Sequence, residues 1–146
     1  MILDILPRSL FIAVGVQLCC QFIKFVSHSI RLGRPRWSSL VTFGGMPSAH
    51  SAFVTALTVC IGVFHGFASD LFALSAVFGG IVIFDAYKLR GNVQKQASLL
   101  NRIQALSLPE DQRLVISEMV GHTVGEIAVG IVLAVAVALP LALWLR

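Results

Sequence analysis

Four stretches of the chain are almost free of charge: residues 10–25, 51–69, 71–84 and 127–145, the third ending at Asp85. A hydrocarbon layer about 30 Å thick is crossed by about 20 apolar residues in helical form, so these runs have the length scale of membrane spans. In lipid every backbone N–H and C=O must be satisfied within the protein, which leaves helices or closed barrels, and a chain this short and apolar cannot build a barrel. The pattern predicts an all-α, polytopic membrane helix bundle with about four spanning helices, forming a single domain over residues 1–146.

Between the third and fourth runs the pattern changes. Val93, Ala97, Leu100 and Ile103 recur at three- and four-residue intervals, predicting an amphipathic helical segment on the cytoplasmic side before the last span. Ser107 with Glu110 has the spacing of a capping box, with Pro109 between them, and predicts the start of another helix that Gly121 would end.

Composition agrees with lipid as the outer solvent: 57% of residues are hydrophobic, 12% are charged and the mean hydropathy is +0.88. Cys19, Cys20 and Cys60 fall inside apolar runs, which suits neither a disulfide framework nor a zinc site. No small-residue cleavage signature follows the first run, so it reads as a retained helix. Charge then orients the bundle. Arg31, Arg34 and Arg36 follow the first run, and Lys88, Arg90, Lys95, Arg102 and Arg113 follow the third, while the turn around residues 65–70 has no Lys or Arg. The positive-inside rule puts both basic loops in the cytoplasm and both termini outside. The net charge of +4 is therefore a topology signal, and no basic soluble module exists to carry nucleic-acid binding.

Several polar residues fit this picture less easily. Gln17, Gln21, Lys24, His28 and Arg31 fall on one helical face, which must either meet the bundle interior or snorkel to the interface. The segment Gly44-Gly45-Met46-Pro47-Ser48-Ala49-His50-Ser51 puts a proline at a helix start, where free amides and the helix dipole attract anions, with His50 beside them. Asp85 stands on the membrane side of Lys88 and Arg90. Glu118, Gly121, His122, Thr123 and Glu126 open the last run, and a helix already including His122 would set Glu126 one turn on, against one ring nitrogen. Each feature alone has a structural explanation. All of them map to one membrane face, which points to an assembled phosphate site.

These residues resemble the small divergent membrane branch of the type 2 phosphatidic acid phosphatase and vanadium haloperoxidase superfamily, from about residue 10 to residue 130. The resemblance is carried by residues 44–51, by Asp85-Ala86 with Arg90, by Asn101, and by Gly121-His122-Thr123 with Glu126. It implies that His122 is a nucleophile oriented by Glu126, that His50 protonates the leaving group, and that Ser48 and Ala49 bind phosphate. Lys24, Arg34 and Arg90 are the implied charge partners, and Asp85, Asn101 and Glu118 the supporting residues. The chain departs from the parent pattern in two places. Nine residues instead of six separate Lys24 from Arg34-Pro35, and Val115-Ile116 stand where the parent has Ser-Arg, so that Arg90, Arg113 or Lys95 would have to replace that arginine from elsewhere.

The expected function is a membrane phosphatase acting on a lipid or isoprenoid phosphate at the cytoplasmic leaflet, in a bacterial inner membrane or an organelle membrane. The scheme needs no cofactor and no metal, although Asp85, Glu118 and Glu126 are the donors a hard divalent cation would use. Membrane lipid is the implied partner, and a homo-oligomer is compatible with the sequence. Two other readings stay open: a non-catalytic anion-binding or transport-accessory protein, and a structural bundle packed through Ser75/Gly79 and Gly121/Gly125.

Overall fold

In the computed structural model the described residues are 7–35, 45–114, 116–118 and 121–146; Gly44, Arg36 and Val115 lie outside them, as does the side chain of Arg31. The elements are α1 (Arg8–Leu32), α2 (Ala49–His65), α3 (Asp70–Phe84), a π turn (Asp85–Leu89), α4 (Arg90–Ser107), a 3-10 turn (Glu110–Gln112) and α5 (Val124–Trp144). No strand occurs among the described residues. Three helices are long and apolar enough to cross a membrane, and α2 is a shorter apolar helix of 17 residues, about 25 Å long.

Small residues explain why α2 sits at the centre. Ala49, Ala52, Ala56 and Cys60 form a stripe along α2, and Gly130, Ala134, Ala138 and Ala142 form one along α5, all of them buried. Lipid tails are as apolar as leucine, so helices associate in a bilayer through close van der Waals contact, which small side chains permit. On α1, Ala13, Val16 and Cys20 meet the same core. Lys24 continues that line, is only 3% exposed, and therefore faces the bundle instead of snorkelling outward.

Helix α3 is held differently. Ser75 and Gly79 are its buried residues, and the Thr58 hydroxyl of α2 lies 3.2 Å from Ser75 O. Leu71, Leu74, Val77, Phe78, Ile81 and Phe84 stay exposed, a face suited to lipid. The helix does not stop at Asp85, where the apolar run ends, but continues through the π turn into α4 as one helical stretch of 38 residues. At about 57 Å this is nearly twice the hydrocarbon thickness. The amphipathic segment is thus an extension of the third span.

Ser107 does not begin a helix. It is the last residue of α4, and residues 110–112 make only a short 3-10 turn. The reason lies in Arg113, which donates to Ala105 O and Leu108 O at the end of α4 and turns the chain back along it.

The two ends of the bundle are unlike. At one, Arg8 Nη1 donates to Leu145 O at 2.8 Å, joining the start of α1 to the end of α5. At the other meet the end of α1, the start of α2, the end of α3 and the start of α5.

The tightest contact at that second end is Gly130 against Ser48, where an added Cβ would lie 2.6 Å from Ser48 O. Gly130→Ala is expected to destabilise the protein by about 1–3 kcal/mol through overpacking against backbone. Gly15→Ala, where a Cβ meets nothing within 4 Å, should be neutral or stabilising by less than about 1 kcal/mol. Thermal unfolding in detergent distinguishes them, and equal midpoints would contradict this packing.

Candidate active site

The site begins with helix ends. Ser48 is the N-cap of α2, its Oγ accepting from Ser51 N at 3.4 Å, so Pro47 precedes the helix instead of occupying its first turn. Ser48 N–H donates to Glu126 O at 3.0 Å, which fixes the start of α2 against the first turn of α5. Thr123 caps α5, with Thr123 Oγ1 accepting from Glu126 N and Glu126 Oε2 accepting from Thr123 N, a reciprocal capping box.

The same carboxylate holds the histidine. His122 Nδ1 lies 2.8 Å from Glu126 Oε2. His122 is outside α5, so the pairing does not arise from two residues on one helical face as the sequence suggested. It arises because the capping box holds Glu126 over the helix entrance, where the preceding chain passes. With Glu126 on Nδ1, the imidazole keeps Nε2 as the nitrogen free of that bond.

A third element fixes the backbone of this histidine. In the π turn Arg90 N–H pairs with Asp85 O, five residues back, which displaces the hydrogen-bond ladder by a residue. Ala86 O, inside this turn, accepts His122 N–H at 3.2 Å. The wider turn also aligns residues five apart, and Arg90 Nε reaches Asp85 Oδ2 at 2.8 Å.

From α4, three side chains hold the returning chain by its backbone. Gln104 and Leu114 are bonded both ways at 2.8 and 3.2 Å, Asn101 and Ile116 both ways at 3.2 and 2.8 Å, and Gln94 Oε1 accepts Gly121 N–H at 3.2 Å. Asn101 also donates to Glu118 Oε1 at 2.8 Å. The supporting residues Asn101 and Glu118 thus lie in the clamp that delivers His122. At its end Gly121 meets Gly91 so closely that a Cβ on Gly121 would lie 3.0 Å from Gly91 Cα.

These elements enclose a cavity of about 450 Å³, lined by His122, Glu126, Glu118, Lys88 and Lys95, with Tyr87, Gln94, Gly45 and others. Of the catalytic, phosphate-binding and supporting residues expected from the sequence, His122, Glu126 and Glu118 line it. His50 does not, yet it lies within electrostatic reach of His122, Arg90, Lys24 and Asp85. Lys24 and Arg90 also act on His122. Ser48 and Ala49 are buried beneath the site, with Ser48 Oγ also 3.0 Å from Ser51 Oγ. Arg34 is exposed just beyond α1. Among the described residues no three His, Cys, Asp or Glu side chains gather as metal ligands. Asp85, Glu118 and Glu126 instead have separate partners in Arg90, Asn101 and His122.

Sequence reasoning missed Lys88 and Tyr87 as cavity residues; Lys95 it named, with Arg90 and Arg113, as a candidate to replace the arginine missing before His122. The signal was present: Lys88 and Lys95 stand two helical turns apart, with Gly91 between them.

The described residues form an apolar membrane helix bundle with an imidazole–carboxylate pair and cations at one end. The chain belongs to the Divergent PAP2 family, which it matches over residues 7–137. It is 32% identical over 143 residues to the uncharacterized membrane protein YuiD of Bacillus subtilis (strain 168), covering 89% of this chain and 90% of that protein. No solved structure matches the chain.

Burial is the largest influence on the His122 imidazole and lowers its pKa from the usual 6.5; Glu126 opposes this through its hydrogen bond and charge, while Lys24 and Arg90 reinforce it. Between the lowered value and about 6.5 the unfolded state binds more protons, so stability rises with pH through that window. The contribution is fully present above about pH 6.5 and is lost as pH falls through the lowered folded value. The midpoint difference between wild type and His122→Asn should be constant from about pH 7 to 8 and shift against the wild type on acidification. A difference independent of pH from about 8 to 5 would contradict the shift.

Proposed function

We propose that the protein is a membrane phosphatase that removes phosphate from a lipid or isoprenoid phosphate at the cytoplasmic leaflet. One observation carries the reading: a buried imidazole held through Nδ1 by Glu126, on a cavity that also presents cations, at the end of an apolar bundle. Phosphoryl transfer asks for a positioned nucleophile and positive charge around the transferring oxygens more than for elaborate covalent chemistry.

In this scheme His122 Nε2 attacks phosphorus, the N–P bond forms and the P–O bond to the lipid alcohol breaks. His50 gives its proton to the departing oxygen. Glu126 supports the imidazolium through Nδ1–H. Water then attacks phosphorus, gives up a proton to His50 and releases phosphate with a neutral His122. Lys24 and Arg90 offset the charge of the phosphoryl oxygens. The apolar tail has a place as well: an open groove of about 270 Å³ between α2 and α3 is lined by Val54, Thr58, Gly79, Gly80 and Ile83 among others. Its lower end lies one helical turn from His50 on α2 and less than one from Asp85 on α3.

The second reading, a non-catalytic anion-binding membrane protein, is favoured by Ile116, which stands where the parent superfamily has arginine and whose backbone is clamped to Asn101.

Rapid quenching with labelled substrate separates the two. Wild type should form an acid-labile phosphohistidine, and His122→Ala should abolish it. His50→Ala should still phosphorylate His122 when the leaving group is good, because such a group departs without a proton, and Glu126→Gln should slow the reaction by about 10- to 100-fold. In sealed membrane vesicles a membrane-impermeant substrate should turn over only with the cytoplasmic face outward. Turnover by His122→Ala would refute the mechanism, and a wild type that never turns over would give precedence to anion binding.

A further inference from the structure

The parent pattern's second-motif arginine has no counterpart at residue 116, and Arg90, Arg113 and Lys95 are the candidates to do its work. Two of them have partners of their own. Arg113 donates to Leu108 O and Ala105 O, closing the end of α4 away from His122. Arg90 is bonded to Asp85 at 2.8 Å, a pair that neutralises much of its charge.

Lys95 belongs to a different arrangement. It lines the His122 cavity together with Lys88, two turns earlier on the same helical stretch, and Gly91 lies between them on the same wall. Gly91 adds no side chain to that wall, and a Cβ there would meet nothing within 4 Å. His122 and Glu126 line the same cavity. Lys88 and Lys95 are both exposed, and each ammonium is a mobile point charge on a four-carbon stem, able to follow an oxygen as the phosphorus geometry changes.

We propose that Lys88 and Lys95 are further phosphate-binding cations of this site, beside Lys24 and Arg90, straddling Gly91 to hold the oxygens of a phosphoryl group presented to His122. The proposal rests on reading the cavity as a phosphate site, but not on turnover. It replaces an arginine delivered by the chain just before the histidine with two lysines delivered by the helix that clamps that chain.

The test is calorimetric titration of the purified full-length protein in detergent with orthophosphate and with orthovanadate. Lys88→Gln and Lys95→Gln should each weaken binding by roughly tenfold, the loss expected for a charge-assisted contact, and the double variant should weaken it further. Lys95→Met, which keeps the aliphatic stem, must lose affinity like Lys95→Gln, while Lys95→Arg should stay within about threefold of wild type. Arg102→Gln, on α4 but not on the cavity, controls for net charge and should bind as wild type does. Wild-type affinity in the double variant, or an equal loss in Arg102→Gln, would overturn the proposal, as would a wild type that binds neither anion. Binding that depends on the lysines without turnover of any lipid phosphate would overturn the hydrolytic reading alone. Turnover unaffected by the double substitution would overturn the lysine assignment alone.

Discussion

Helix ends in a bilayer must find partners for backbone groups that water would otherwise satisfy, and at one end of this bundle they find one another. Ser48 N–H, at the start of α2, is satisfied by Glu126 O in the first turn of α5, and His122 N–H is satisfied by Ala86 O in the π turn. These two bonds join three segments distant in sequence. Each also positions a residue with chemical potential: His50 follows Ser48 by two, Arg90 closes the π turn, and His122 is itself the donor. The requirement that makes the bundle stable in lipid is therefore the one that assembles the site.

Close packing makes those bonds reachable. The Ser48 backbone can approach Glu126 O because Gly130, four residues further along α5, has no side chain in the way. Beyond the membrane-spanning part, the extension of α3 into α4 provides a rigid rail, and Gln94, Asn101 and Gln104 hold the returning chain to it by backbone contacts. Such contacts read main chain and not side chains, so the loop before His122 is free to lack the arginine of the parent pattern while still delivering the histidine. Glu126 completes the arrangement by capping α5 and holding His122 Nδ1 with one oxygen.

Much of the fold was legible because apolar runs of span length admit few alternatives. Lys24, for which the sequence leaves the bundle interior and the interface both open, lies on the same helical line as Ala13, Val16 and Cys20 and is buried. Two helix starts show where local rules fail and succeed. Ser107 and Glu110 have capping-box spacing, yet Pro109 and the Arg113 bonds to α4 turn the chain there. Thr123 and Glu126 have the same spacing before an apolar run, and there the box forms. The closeness of His122 to Glu126 was expected for a different reason, a shared helical face, whereas His122 precedes the helix. The π turn left no trace in the hydrophobic pattern, because residues 85–89 look like an ordinary interface. That turn brings Ala86 O to His122, so the union of the third span with the last was not readable. Lys88 and Lys95 read as topology signals for the same reason: exposed lysines at a membrane surface are common, and only the folded chain shows that these two share a wall with His122.

The central claim is that Glu126 holds His122 through Nδ1 so that Nε2 faces an incoming phosphoryl group. Nitrogen NMR of the His122 imidazole, in the full-length protein with and without orthovanadate, a mimic of the phosphoryl transition state, tests it most directly. The account predicts that Nδ1 carries the proton and remains bonded to Glu126, while the Nε2 resonance shifts when vanadate is added. A His122 whose proton resides on Nε2, with neither nitrogen responding to vanadate, would contradict it.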